Sequence, residues 1–452
     1  MLAFLEPLEE LADYQEIVRK RGKAEGILQI AGCVSSQKTH LMYALGDGFE
    51  FRVIVFSSEE KAKQAYEEYK MLEENTFLYP AKDLLFYHAD IKGAALTGKR
   101  MEVLKKLTEK KNREPVTVIT TADAFLDGLP SKEKLWESRI EIEAGAVIDF
   151  QKLQEELVHL GYERESQIEG PGQFAVRGGI LDVYPLTEEI PVRIELWGDE
   201  IDSIRSFDVE SQRSVENMEQ VVIYPATENV EKEEQAVSFA EYFPKEKSLF
   251  FFDEPVRLQE TLEAVEKEYF HSFESRKNAG MTEEADEIRV FQTKEIIEKF
   301  NTRYGIGLTT LETRCGGFKV RDVYSIQAAG VNPYNNSFEM LTQDLKKLKR
   351  QGYRVILVSG SRTRAKRLAE DLRDYDLSSF YSEDMVRTVR PGEIMVVYGC
   401  VAEGYEYPML KFMVISESDI FGKRKKKRRR KVYEGQKIQE FAELKPGDYV
   451  VH

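Results

Sequence analysis

Four runs of the sequence are apolar almost without a break: GILQIAG (Gly26–Gly32), FRVIVFSS (Phe51–Ser58), TFLYPA (Thr76–Ala81) and VTVITTADAFL (Val116–Leu126). A strand that is apolar on both sides has to be covered on both sides, and amphipathic stretches between such strands suit crossover helices. The pattern predicts a parallel sheet flanked by helices, the α/β class. At 452 residues the chain is too long for a single core, so further domains are expected.

The character changes near Ile140. AVRGGILDVYPL, PVRIELWGD, EIDSIRSFD and VVIYPA follow one another through turns too short for crossover helices, and one helix, Asp149–Tyr162, precedes them. This reads as an inserted α+β domain with an antiparallel sheet. After Glu231 a long charged helical region is expected, interrupted by the strand SLFFFDEP (Ser248–Pro255), with helices again over Val256–Asn301. A small second α/β unit begins near Asn336, with helix Phe338–Gln351, strand Tyr353–Gly360, basic helix Thr363–Tyr375 and the strands IMVVYG and FMVISES. The expected divisions are 1–135, an insertion at 136–226, a return at 227–335, the small domain at 336–420, a basic linker at 421–437 and a truncated start of another domain at 438–452.

No apolar run approaches the ~20 residues of a membrane helix, and the acidic N-terminus MLAFLEPLEELADY lacks the basic start of an export signal. Cys33, Cys315 and Cys400 lie far apart, which suits reduced thiols and a cytoplasmic location. A net charge of −15 argues against a generally nucleic-acid-binding surface, so any DNA affinity has to be local. The nine consecutive basic residues Lys423–Lys431 are the place for it; a solvated linker is the plainer reading. His40, His88, His159 and His271 have no catalytic or metal-ligand partners at useful spacing, and neither a catalytic residue nor a metal is expected.

Two constellations could carry function. The first is Gly32-Cys-Val-Ser-Ser-Gln37-Lys38-Thr39, placed after a strand like a phosphate-binding loop, with Gln37 where the second glycine of that loop belongs. A long side chain there obstructs the wrapping of backbone N–H groups around a phosphate. Asp253-Glu254 follows an apolar strand like the acid pair that holds magnesium in motor ATPases. The site is read as vestigial, with Lys38 and Asp253 forming an ion pair; residual nucleotide binding is the alternative. The second constellation is the antiparallel segment, where Arg177, Arg193 and Arg205 lie near Phe174, Trp197 and Phe207. Arginines beside aromatic residues are what interface hot spots favour. Alternation puts Arg193, Glu195 and Trp197 on one face and Ile194 and Leu196 on the other. Ordinary sheet pairing is the alternative here.

The segment FAVRGGILDVYPLTEEIPVRIELWGDEIDSIRSFDVESQRS closely resembles the partner-binding domain that UvrB shares with the Mfd family of transcription-repair coupling factors. Gln37 departs from the intact loop of UvrB, and LLFYHADIKGAALTGKRMEVLKKL runs into a helix where UvrB carries its DNA-inserting hairpin. The tail LKPGDYVVH resembles the opening of the RNA polymerase-interacting domain of the coupling factors, so the resemblance is to the N-terminal part of that family. It implies a degenerate helicase-like (P-loop/RecA-like) lobe at 1–135 and 227–335, the UvrA-binding insertion, and a shrunken second lobe at 336–420. UvrA is the implied partner, with Arg177, Arg193 and Trp197 matching the family's binding surface and Asp199 and Arg205 weaker nominations. The resemblance also implies that the family's ATP-dependent translocase motor, with its ATP and Mg, and its contacts to RNA polymerase and double-stranded DNA lie in a C-terminal part missing here. No cofactor and no catalysis are therefore expected of this chain. A UvrB-like nucleotide-dependent DNA damage-processing protein is the rival reading, and a polymerase-binding module a weaker third.

Overall fold

The computed structural model describes residues 2–82, 94–109, 114–228, 236–278, 290–383 and 386–422. Helices α1 (Leu2–Leu5) and α2 (Ala12–Lys20) precede a regular alternation: β1 (Gly26–Ala31), α3 (Ser35–Leu45), β2 (Phe51–Phe56), α4 (Glu59–Lys70), β3 (Thr76–Tyr79), α5 (Ala94–Thr108) and β4 (Val116–Thr121). Strands β1, β2 and β4 are buried at every residue, as uninterrupted apolar runs require. Helix α6 (Lys132–Glu137) ends this stretch, its first turn capped by the Ser131 hydroxyl, which accepts the Lys134 N–H.

The chain then leaves the sheet. It makes β5 (Ile140–Glu143), α7 (Phe150–His159), β6 (Glu163–Glu165), β7 (Gln173–Arg177), β8 (Ile180–Val183), β9 (Val192–Trp197), β10 (Glu200–Phe207), β11 (Ser214–Met218) and β12 (Gln220–Ile223). Strands β6 to β11 form a six-stranded sheet in sequence order, antiparallel throughout except for the β6–β7 pair. Asp149 caps α7 by accepting the N–H groups of Gln151 and Lys152. Leu153 and Leu157 of that helix pack with Phe174, Leu181, Ile194 and Ile204 in a core of their own. Strands β5 and β12 pair only with each other, Ile140 opposite Ile223, so the incoming and outgoing strands form one neck.

Beyond the neck come β13 (Ser248–Asp253), α8 (Pro255–Asn278), α9 (Thr293–Asn301), β14 (Tyr304–Leu308) and β15 (Val320–Ser325). These strands join β1–β4 in a seven-stranded sheet of order β15-β1-β14-β13-β2-β4-β3, parallel throughout. The FFF run of β13 is central and wholly buried. The charged helical region expected before β13 is not there among the described residues. Residues 236–247 instead make two short 3₁₀ turns, Phe239–Tyr242 and Lys245–Lys247. Their aromatic residues decide this: Phe239 stacks on Tyr79 at 3.8 Å between ring centroids, and Tyr242 and Phe243 are buried.

A buried ionic cluster secures the neck. Arg100 of α5 is fully enclosed and donates to both oxygens of Glu228 (3.0 and 2.9 Å), to Asp127 (2.5 Å) and to the Pro80 carbonyl (2.8 Å), with Tyr79 under its guanidinium. Lys82 also pairs with Glu228, at 2.6 Å. Lys105 of α5 reaches Glu188 of the insertion at 2.8 Å.

The last unit contains β16 (Ala329–Gly330), α10 (Phe338–Arg350), β17 (Arg354–Ser359), α11 (Arg362–Arg373), β18 (Ser379–Ser382), β19 (Ile394–Tyr398), β20 (Tyr405–Tyr407), β21 (Phe412–Ser416) and α12 (Glu417–Phe421). Its six-stranded sheet has the order β16-β20-β21-β17-β19-β18, with β17, β18, β19 and β21 parallel and β16 and β20 joined antiparallel. It packs on the first unit around His40, whose Nε2 donates to the Phe4 carbonyl (2.9 Å) and whose Nδ1 accepts from the Tyr407 hydroxyl (2.9 Å). The carbonyl can only accept, and that sets the tautomer. The basic run Lys423–Lys431, the tail LKPGDYVVH and His88 lie outside the described residues. No helix of the described residues is long and apolar enough to cross a membrane.

Candidate functional site

The outer face of the inserted sheet gathers the residues singled out in the sequence. Register places Asp182 of β8 opposite Arg193 of β9, and Arg193 opposite Arg205 of β10. One step along the sheet, Ile180, Glu195 and Ser203 form the next row. Trp197 and Glu200 close the β9–β10 hairpin over the two-residue turn Gly198-Asp199. Ile194 is buried beneath this face and Leu196 half-buried, as alternation requires. Trp197 is 85% exposed, an unusual position for so large an apolar side chain.

The arginines are held. Arg193 donates Nε to Asp182 Oδ1 (2.6 Å) and Nη2 to Asp182 Oδ2 (2.9 Å) and to Gln212 Oε1 (2.9 Å). Its guanidinium lies 4.3 Å from the centroid of the buried Phe207 ring. Arg177 sits at the corner of the β7–β8 hairpin and donates to the same Asp182 Oδ2 at 2.6 Å. That corner needs glycine: Gly178 has φ +61°, and a Cβ on Gly179 would come within 2.9 Å of the Leu196 carbonyl. Arg205 pairs with Glu195, whose carboxyl is held below its usual pKa first by that hydrogen bond. Asp199 is exposed at the turn, and its carbonyl accepts the Ile148 N–H at 2.8 Å.

Two residues of this face were not picked out from the sequence. Asp182 is 1% exposed, and its signal was an acid inside the apolar run ILDV, which has to find a partner. Val147 is 75% exposed and bridges to Glu200, which brings it into the row of Trp197. Its signal is long-range pairing, which no local pattern carries.

The phosphate-loop residues form a second, separate cluster. Gly32 follows β1 with φ +85°, and a Cβ there would lie 3.2 Å from the Ile326 carbonyl. The loop is occupied by its own side chain: Gln37 is fully buried, and its Oε1 accepts the Val34 N–H at 3.1 Å. Lys38, nearly buried, donates to Asp253 Oδ1 (2.6 Å) and Glu254 Oε1 (2.7 Å), and Lys61 approaches Asp253 Oδ2 at 3.1 Å. Burial opposes the Lys38 ammonium, but Asp253 and then Glu254 outweigh it and raise its pKa. Thr310 donates its N–H (2.9 Å) and hydroxyl (2.7 Å) to Glu254. Two lysines and two carboxylates balance, so these four residues offer no surplus positive charge to a phosphate. Thr39 is buried beside them, and Ser36 donates to Glu68 (2.7 Å), which also accepts the Ala402 N–H (3.0 Å) from the last unit. Among the described residues there is no group of three or more His, Cys, Asp or Glu that could hold a metal ion.

Comparison with known proteins bears on the first cluster. The family described as "UvrB interaction domain" matches residues 140–229, the neck and the sheet that it carries. Residues 140–229 are thus similar to the UvrB interaction domain. Outside that domain the likeness continues. The transcription-repair-coupling factor of Bacillus subtilis (strain 168) is 25% identical over 98% of this chain and 43% of its own length. Those of Staphylococcus aureus strains bovine RF122 / ET3-1 and USA300 are each 27% identical over 84% of this chain and 37% of their own length. The chain therefore spans less than half the length of these curated relatives. The resemblance to transcription-repair coupling factors read from the sequence is borne out, with the UvrB interaction domain as its most specific part.

Proposed function

We propose that this chain is a non-catalytic docking platform of transcription-coupled nucleotide excision repair, recruiting UvrA through the outer face of its UvrB interaction domain. The observation that carries the reading is Trp197, almost fully exposed at a hairpin tip on the same face as the arginine pair Arg177 and Arg193. Tryptophan and arginine are the residue types that most often dominate protein interfaces, and the bonds to Asp182 hold both arginines in place, which lowers the ordering cost of binding. Arg205 and Asp199 flank the contact. On the same reading, contacts to RNA polymerase and double-stranded DNA and an ATP-driven motor fall to a part of the longer protein outside the matched span.

The self-occupied loop supports the other half of the reading. A phosphate would have to displace the Gln37 carbonyl from the Val34 N–H and break two buried ion pairs of Lys38. This arrangement supports the reading that the chain works without ATP and magnesium. The test is calorimetric titration of the purified chain with UvrA and, separately, with ATP and magnesium. Binding of UvrA that disappears in Arg193→Ala, with no ATP binding, is the expected result. UvrA binding unchanged in both Arg193→Ala and Trp197→Ala would remove the assignment.

A further inference from the structure

Asp182 is the only acid in β8, and its side chain is almost entirely enclosed. Its two oxygens receive three N–H donors from two side chains on different strands, Arg193 of β9 and Arg177 of β7. Two guanidinium groups on one carboxylate leave one net positive charge, while the neighbouring Arg205–Glu195 pair is balanced. Arg193 is fixed further by the Phe207 ring below it and by Gln212 beside it. It exposes only 15% of its side chain, whereas Arg177 exposes 48%. The pair thus meets solvent as a single, oriented, singly charged group, with the Trp197 hairpin on the same face.

We propose that Asp182 is the positioning residue of this docking face, holding Arg177 and Arg193 side by side and preset for a carboxylate on the partner. The inference rests on the docking reading above and adds the chemistry of what docks: an acidic side chain for the arginine pair. Guanidinium recognises carboxylate through paired, directional N–H donors, so its orientation matters as much as its charge. Positioning and plain charge attraction therefore predict opposite signs for one substitution. Removing the negative charge of Asp182 makes the face more positive. A face that works by attraction alone then binds an acidic partner more tightly, and one that works by orientation binds it more weakly.

The experiment uses the full chain and purified UvrA, with Asp182→Asn, Arg193→Ala, Arg193→Lys and the double variant Asp182→Asn/Arg193→Ala. Asp182→Asn is expected to weaken binding about ten-fold, and the double variant to bind as Arg193→Ala does, because both changes remove one arrangement. Arg193→Lys keeps the charge but cannot fork onto Asp182, and is expected to lose nearly as much as Arg193→Ala. In nitrogen-detected NMR spectra the slowly exchanging Arg193 Nε–H signal of the unmodified chain should vanish in Asp182→Asn. Binding by folded Asp182→Asn that equals or exceeds that of the unmodified chain would overturn the proposal. Should Asp182→Asn fail to fold, Arg193→Lys decides, and wild-type affinity in that variant overturns it equally. If Arg193→Ala and Trp197→Ala both bind UvrA normally, the docking reading itself has failed; if Arg193→Ala loses binding while Asp182→Asn keeps it, only the positioning role has.

Discussion

The Gln37 side-chain oxygen accepts the backbone N–H of Val34, three residues before it, at 3.1 Å. The amide of one residue thereby occupies a backbone donor of the loop, and α3 starts with a cap of its own making. The neighbouring Lys38 is a counter-ion to Asp253 and Glu254.

Lys38 should accordingly matter for stability and not for ligand binding. Its ammonium is enclosed with Asp253 and Glu254, and Lys38→Ala leaves a buried carboxylate facing Lys61 alone. Loss of one partner of a buried pair costs about 3–5 kcal/mol. Urea unfolding of Lys38→Ala should show a loss on this scale. ATP titrations of both proteins should be flat, and a magnesium-dependent ATP signal abolished by the substitution would reverse this conclusion.

Trp197 should show the converse behaviour. Nothing buries it, so Trp197→Ala should leave the melting temperature within a degree or two, while UvrA affinity falls by about 2 kcal/mol, roughly thirty-fold. Val147→Glu, across Glu200 from the same hairpin tip, should weaken the complex as well. Normal UvrA binding by Val147→Glu would confine the contact to the hairpin.

His40 predicts how the interface between the first and last units responds to acid. Burial pushes its pKa down to about 4, against the smaller opposing effect of its bond to the Phe4 carbonyl. An unfolded histidine titrates near 6.5, so between pH 6.5 and 4 the unfolded chain binds the extra proton and the folded chain does not. Stability from this group is therefore intact above pH 6.5 and falls as the pH drops toward 4, by about 2 kcal/mol at pH 5. His40→Gln should be less stable at pH 7.5, yet its difference between pH 7.5 and pH 5 should shrink by that amount in denaturant melts.

The neck makes a fourth prediction. Arg100 is the only described cation lying with no exposure among Glu228, Asp127 and the Pro80 carbonyl. Arg100→Ala strands two buried carboxylates with Lys82 alone, at about 3–5 kcal/mol. Limited proteolysis should then cut near residues 224–228 faster than in the unmodified chain, and an unchanged cleavage rate would show that the cluster is not what holds the insertion.

The central strands were legible because they are buried on both sides, a condition that writes uninterrupted apolar runs. The Trp197 face was legible for the opposite reason: strict alternation along β9 placed a tryptophan with Arg193 and Glu195 rather than with Ile194. What stayed hidden depends on distant partners. The stretch after Glu231 carries enough Glu and Lys to read as a charged helix, yet Phe239, Tyr242 and Phe243 insert into the core from 3₁₀ turns and Pro244 interrupts any helix. Lys61 and Thr310 joined the Lys38 cluster from α4 and the loop after β14, and Val147 reached the Trp197 hairpin through a single bridge to Glu200. Asp182 was visible as a letter but not as a junction, because the two arginines that converge on it come from different strands.

The neck of paired strands has a consequence for how the inserted domain can travel. Ile140 and Ile223 face each other across an antiparallel ladder, so the two ends of the segment between them are only about 5 Å apart. A segment with adjacent ends and its own apolar core can be spliced into a surface loop of an unrelated carrier without stretching that carrier's backbone. The geometry makes the module a portable cassette, one that recombination or an engineer can move between hosts as a unit.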